Sequence, residues 1–180
     1  MTHAFAWLPS PYRWVLLVIL IAGTVFLAAR LTSQGKPLIT EAAPNGILSY
    51  EFAWNRSKAR LILDSWEKLK ETARWQLLLD FAFLVFYPLA ISLACAMLAD
   101  SPHNKMAVVG IFISWAVLAS GFLDAAENVS LLRMLDGGAS DFLARLAALC
   151  AGVKFTLVFA GLGYVVLQGL AVLAAKIRGA

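Results

Sequence analysis

Apolar residues in this chain gather into four long runs. The first, residues 14–29, lies between Arg13 and Arg30, and the second, residues 75–99, is interrupted by Asp80 and Pro88. The third, residues 106–123, carries no charge; the fourth ends near residue 175 and contains Arg145 and Lys154. An α-helix rises ~1.5 Å per residue, so about 20 residues cross a hydrocarbon core of ~30 Å. The pattern predicts an all-α membrane protein: an antiparallel bundle of four transmembrane helices at about residues 14–31, 75–99, 106–135 and 141–175. The spans occupy most of the chain, so residues 1–180 are expected to form a single transmembrane domain. The first run has the length of a signal peptide, but no small-x-small cleavage site follows it, and it is expected to be retained as a span.

Breakers and caps set the boundaries. Pro88 falls inside the second span, removes the amide that would bond the Leu84 carbonyl, and predicts a bend. A tight turn is expected over residues 100–105. No breaker occurs before Asp136-Gly137-Gly138, so the third helix is read through Asp124, Glu127 and Asn128 to about Leu135. Ser140 or Asp141 is predicted to cap the fourth helix.

The only long connection, residues 32–74, has turn signals at Lys36-Pro37 and Pro44-Asn45-Gly46. Leu48, Tyr50, Phe52 and Trp54 then alternate, which predicts an extended segment. Asn55 is placed to cap a helix in which Ala59, Ile62, Leu63, Trp66, Leu69 and Ala73 recur at helical spacing. Charged residues fill the other positions, giving an amphipathic helix that either lies along the membrane interface or packs on the bundle end. Trp7, Trp14, Trp54, Trp66 and Trp75 are read as interface anchors.

Composition supports a membrane assignment: 61% of residues are hydrophobic and 14% charged, against roughly half and a quarter in soluble domains. The formal net charge of +4 does not point to nucleic acid. The basic residues flank apolar runs or lie on the amphipathic stretch, as contacts to lipid headgroups do. Cys95 and Cys150 fall near opposite ends of neighbouring spans, beyond disulfide reach, and are read as packing thiols.

Counting uncharged residues estimates depth. The uncharged runs bounded by Arg30, Asp80, Asp124 and Lys154 span about 24 to 32 Å. If the helices alternate in direction, these four charges share one level at the end of the bundle that carries the long connection. Asp124, Glu127 and Asn128 stand at i, i+3 and i+4 and share one helix face. Cys150, Lys154, Gly161, Val165 and Gln168 trace a face of the fourth helix, and Asp80, Leu84, Tyr87 and Ile91 one of the second. Gly161 and Gly163 are read as packing glycines.

Two readings of this layer compete. Charges at a hydrocarbon edge serve as anchors and register pins. Alternatively, Asp80, Tyr87, Asp124, Glu127, Asn128 and Lys154 line a polar pocket, with Tyr50, Glu51 and Trp54 of the connection closing over it. The three carboxyls outnumber the one lysine, which makes Asp124 and Glu127 the candidate catalytic acid–base groups. Such a pocket suits an amphiphilic, lipid-like molecule. An intramembrane acid–base enzyme is the first alternative. A homo-oligomer or subunit of a larger membrane complex is the second, with Ala144, Ala147, Ala148 and Ala151 as the contact face.

The only histidines, His3 and His103, fall away from the layer, so no metal site is expected; a carboxylate-only cation site is the lesser alternative. No glycine loop suited to phosphate occurs, and the sequence names no cofactor. Lysine and arginine are more numerous at the connection end, which predicts that end to be cytoplasmic in a multi-pass cell-membrane or inner-membrane protein.

Overall fold

A computed structural model of the protein describes residues 2–101 and 106–179. The turn expected over residues 100–105 lies outside them at Pro102, His103, Asn104 and Lys105. The elements are helical: α1 (Ser10–Gly35), α2 (Ile47–Glu51), α3 (Arg56–Ser65), α4 (Lys70–Ala99), α5 (Ala107–Gly137) and α6 (Asp141–Gly179). Single 3₁₀ turns occupy Lys36–Leu38 and Glu67–Leu69. The segments Ser10–Leu38, Glu67–Ala99, Ala107–Gly137 and Asp141–Arg178 are long and apolar enough to cross a membrane. Shorter helices stand between the first two.

Contacts divide the chain into two compact units. The first comprises Met1–Thr24, Val85–Gly121 and Lys154–Ala180. Here Leu20 of α1 packs with Ala90, Leu93 and Ala96 of α4, and Phe5 joins them. Ser92 Oγ donates 2.8 Å to the Ser114 carbonyl and lies 2.9 Å from its hydroxyl, so two buried hydroxyls satisfy one another across α4 and α5. A Cβ at Gly161 would stand 2.7 Å from methyls of both Ile91 and Val117. The absent side chain is what admits them. Gly163, read alike from sequence, meets nothing within 4 Å and is not a packing glycine.

Polar contacts fasten the amino-terminal segment within the first unit. His3 Nε2 meets Asp100 Oδ2 at 2.9 Å, Arg13 bonds the same oxygen, and Arg13 Nε donates 2.6 Å to the Leu8 carbonyl. Partial burial pushes the Asp100 carboxyl upward, but hydrogen bonds from His3 and Arg13, and their charge, outweigh it and hold the group below its ordinary value.

The second unit comprises Val25–Leu84 and Phe122–Val153. Its core joins the connection to α5 and α6: Leu38, Tyr50, Ile62 and Trp66 pack with Leu131, Met134, Ala144 and Ala147. The segment expected to be extended over residues 47–54 is instead a helical turn, α2, and its alternation does not sort the side chains. Tyr50 is buried, whereas Leu48 and Trp54 are exposed. With no strand beside it, this backbone satisfies its amides locally.

Asn55 does cap α3: its Oδ1 accepts 2.8 Å from the Lys58 amide. The Asp141 carboxylate, expected to cap α6, accepts 2.8 Å from the Arg56 amide at the start of α3. The amphipathic stretch is not one helix to Ala73. It breaks at Trp66, turns through Glu67–Leu69 and resumes as α4 at Lys70. Trp66 stands at the break. Its indole enters the core, donates 2.9 Å to the Leu38 carbonyl and meets the Tyr50 ring edge-on at 5.5 Å. Trp66 is therefore a core residue and not an interface anchor, whereas Trp7, Trp14, Trp54 and Trp75 are exposed.

Ala144, Ala147, Ala148 and Ala151 are fully buried within the chain, so the face offered for another subunit is already occupied. Cys95 and Cys150 are both free and buried.

Candidate functional site

Where α1 ends, the chain must turn without leaving backbone groups bare in an apolar setting. The Lys36–Leu38 turn and a Thr40–Ala43 pair of backbone bonds, 3.2 and 3.1 Å, accomplish this. Ser49 Oγ then accepts 3.0 Å from the Asn45 amide at the start of α2. Tyr50 pins α2 to α5 by donating 3.1 Å to the Leu131 carbonyl. Burial and the charge of Asp136 push its phenol well above the ordinary range, so it stays a donor. With Tyr50 directed into the core, its neighbour Glu51 is held on the wall of a cleft.

That cleft has a volume of about 440 Å³ and lies within the second unit, between the end of α1, the connection, α4 and α5. Leu31, Ile39, Ile47, Leu48 and Leu77 give it apolar walls; Glu51, Gln76, Asp80 and Asn128 give it polar groups, and Lys36 and Asn45 also line it. Asn128 Nδ2 donates 2.7 Å to Asp80 Oδ2, joining α5 to α4. Gln76 Nε2 donates 3.1 Å to the Leu31 carbonyl of α1. Its Oε1 is buried and accepts no hydrogen bond.

The structure thus gathers Glu51, Asp80 and Asn128 of the residues singled out in the sequence. Asp124, one turn before Asn128 on α5, and Glu127, its immediate neighbour, are buried but are not among the cleft-lining residues. Tyr50 lies in the core and Trp54 at the surface, so neither closes over the cleft. Trp54 holds a left-handed backbone, φ 62°, that bulky residues rarely adopt. Tyr87 and Lys154 belong to the first unit, where both are buried and the Lys154 ammonium stands 5.1 Å from the Phe155 ring centre. Sequence reading overlooked Gln76 and Lys36. Gln76 left a faint signal, a lone amide one position after the start of an apolar run.

A second cavity of the same unit, about 540 Å³, is more polar and is rimmed by Arg56, Arg60, Lys70, Asp64, Glu67 and Asp136. Arg74 and Asp136 form a half-exposed ion pair beside it. Among the described residues, no three histidine, cysteine, aspartate or glutamate side chains gather to hold a metal ion.

The fold defines a class, a helical protein with four membrane-length apolar helices. The chain matches no protein-family model, no curated protein and no solved structure.

Proposed function

We propose that this chain is a multi-pass membrane protein that binds or transfers an amphiphilic, lipid-like molecule in the cleft lined by Glu51, Gln76, Asp80 and Asn128. The supporting observation is the cleft's mixed lining: aliphatic residues from α1, α2 and α4 beside two carboxyl and three amide side chains. Its volume, about 440 Å³, falls within the range of roughly 300–1,000 Å³ usual for small-molecule sites. A headgroup satisfies the polar side while part of an acyl chain covers the aliphatic side.

The spans are proposed to alternate in direction, with the connection on the cytoplasmic side and α3 at the interface. Exposed Arg56, Lys58 and Arg60 on α3 favour contact with anionic headgroups. Native mass spectrometry of the full chain, released from lipid nanodiscs, tests the proposal. We expect a lipid-sized adduct that survives detergent exchange and is lost when Leu77→Trp fills the cleft while the helices are retained. A bare chain under every mild condition would end the proposal.

Complete burial of Asp124 and Glu127 on one α5 face favours a second reading, acid–base catalysis on a hydrophobic substrate. There, Glu127→Gln should abolish turnover and leave the folded fraction unchanged. Equal loss of both would assign these groups to packing.

A further inference from the structure

Gln76 departs from the usual rule that buried polar atoms find partners. The residue is only 6% exposed, and its Oε1 has no donor. The orientation of the amide is fixed by the bond from Nε2 to the Leu31 carbonyl; turning it over would set oxygen against oxygen. Gly35, also on the cleft wall, leaves the room the amide occupies. A Cβ there would stand 3.0 Å from Nε2 and 3.3 Å from Oε1. The cleft therefore has on its inner wall an acceptor that lacks a donor, beside the acceptor side chains Glu51 and Asp80. The charge changes sign along the lining: both carboxyls belong to the largely shielded residues Glu51 and Asp80, and the only lining cation, Lys36, is exposed.

We infer that the cleft selects a zwitterionic phospholipid whose headgroup ends in a primary ammonium. This inference rests on the amphiphile-binding reading above and names its headgroup. A primary ammonium brings three N–H donors and a positive charge to an acceptor-lined recess. One donor goes to Gln76 Oε1, and the charge faces Glu51 and Asp80. The phosphate, one short linker away, reaches Lys36 at the rim, and the acyl chains leave along Ile39 and Leu48. A trimethylammonium head carries the same charge but no N–H, so it leaves the Gln76 oxygen unrelieved. An anionic glycerol head sets no cation against the carboxylates.

The test reconstitutes the full chain in nanodiscs containing equal parts of phosphatidylethanolamine, phosphatidylcholine and phosphatidylglycerol with identical acyl chains. Lipid retained after transfer to detergent is measured by native mass spectrometry. Phosphatidylethanolamine should be enriched over phosphatidylcholine about ten- to a hundredfold, the worth of one buried hydrogen bond to a charged donor. Gln76→Leu should bring the ratio to about one, the value expected when that bond is absent. Gly35→Ala, whose backbone at φ −77° accepts alanine, should lower it by crowding the amide. Ratios are read on folded, lipid-bearing protein, so a loss of yield in either variant does not alter them. Equal retention of the three lipids, or enrichment unchanged in both variants, would overturn the headgroup inference and leave amphiphile binding standing. Retention of no lipid at all would remove both.

Discussion

Replacing Trp66 by phenylalanine tests whether the connection belongs to the core. The indole of Trp66 is 0% exposed and its Nε1 donates 2.9 Å to the Leu38 carbonyl, itself on a fully buried residue. Phenylalanine keeps an aromatic ring against Tyr50 but removes the donor, and leaving a buried carbonyl without its partner costs about 1–3 kcal/mol. The smaller ring also leaves a void where Ile62 and Leu131 pack, adding on the order of 1 kcal/mol. Together they give a loss of about 2–4 kcal/mol. Trp75→Phe is the control. That indole is 65% exposed, and a change at such a position shifts stability by about 0.5 kcal/mol or less. Equilibrium unfolding in mixed micelles, following helix content against denaturing detergent, measures both. Hydrogen exchange adds a local readout, since the Lys36–Leu38 turn should open sooner in Trp66→Phe alone. Similar losses from the two variants, or a Trp66 loss below ~0.5 kcal/mol, would refute the assignment and return Trp66 to the interface.

The raised pKa of Tyr50 means that the folded protein keeps a proton that the unfolded chain releases near pH ~10. Stability from this group is therefore complete below that pH and falls as pH rises above it; Tyr50→Phe should flatten the alkaline limb of the unfolding midpoint and cost about 1 kcal/mol at pH 7 through loss of the bond to Leu131. Asp100 has the opposite sign. Its depressed value stabilises above the ordinary carboxylate pKa, ~3.9, and that contribution disappears as pH falls through the depressed value; hydrogen exchange over residues 2–8 should quicken in Asp100→Asn at neutral pH and in the parent chain only in acid. Gly138 ends α5 with φ 89° and an amide bonded 2.9 Å to the Met134 carbonyl. Gly138→Ala should cost about 1–2 kcal/mol in thermal unfolding, while Gly163→Ala, with open space around it, should cost nothing measurable.

The four membrane-length helices were legible because a span is written in composition: a long apolar run has few alternatives. The buried side of the connection was legible too, since Ala59, Ile62, Leu63, Trp66 and Ala73 do face the core. What periodicity failed to locate was the break at Trp66, because the helical spacing of apolar residues continues smoothly through the single 3₁₀ turn at Glu67–Leu69. Alternation over residues 47–54 misled for a related reason. A helix of five residues is too short to display its own period. At the cleft, sequence reasoning found Asp80 by the rarity of acids in apolar runs and Asn128 by the helix face it shares with Asp124 and Glu127. It passed over Gln76, a neutral amide whose meaning lies in the Leu31 carbonyl 45 positions away. Helix-face counting also grouped Tyr87 and Lys154 with the acids; both are buried, in the first unit.

The segment between α1 and α4 resembles a surface loop in its length and its prolines, yet Leu38, Ala43, Tyr50 and Ala53 are wholly enclosed. A fluorescent reporter or protease site spliced there for topology mapping would disrupt folding before it reported sidedness. Small labels on outward-pointing positions such as Ser57 or Glu67 are the gentler route to learning which compartment this face meets.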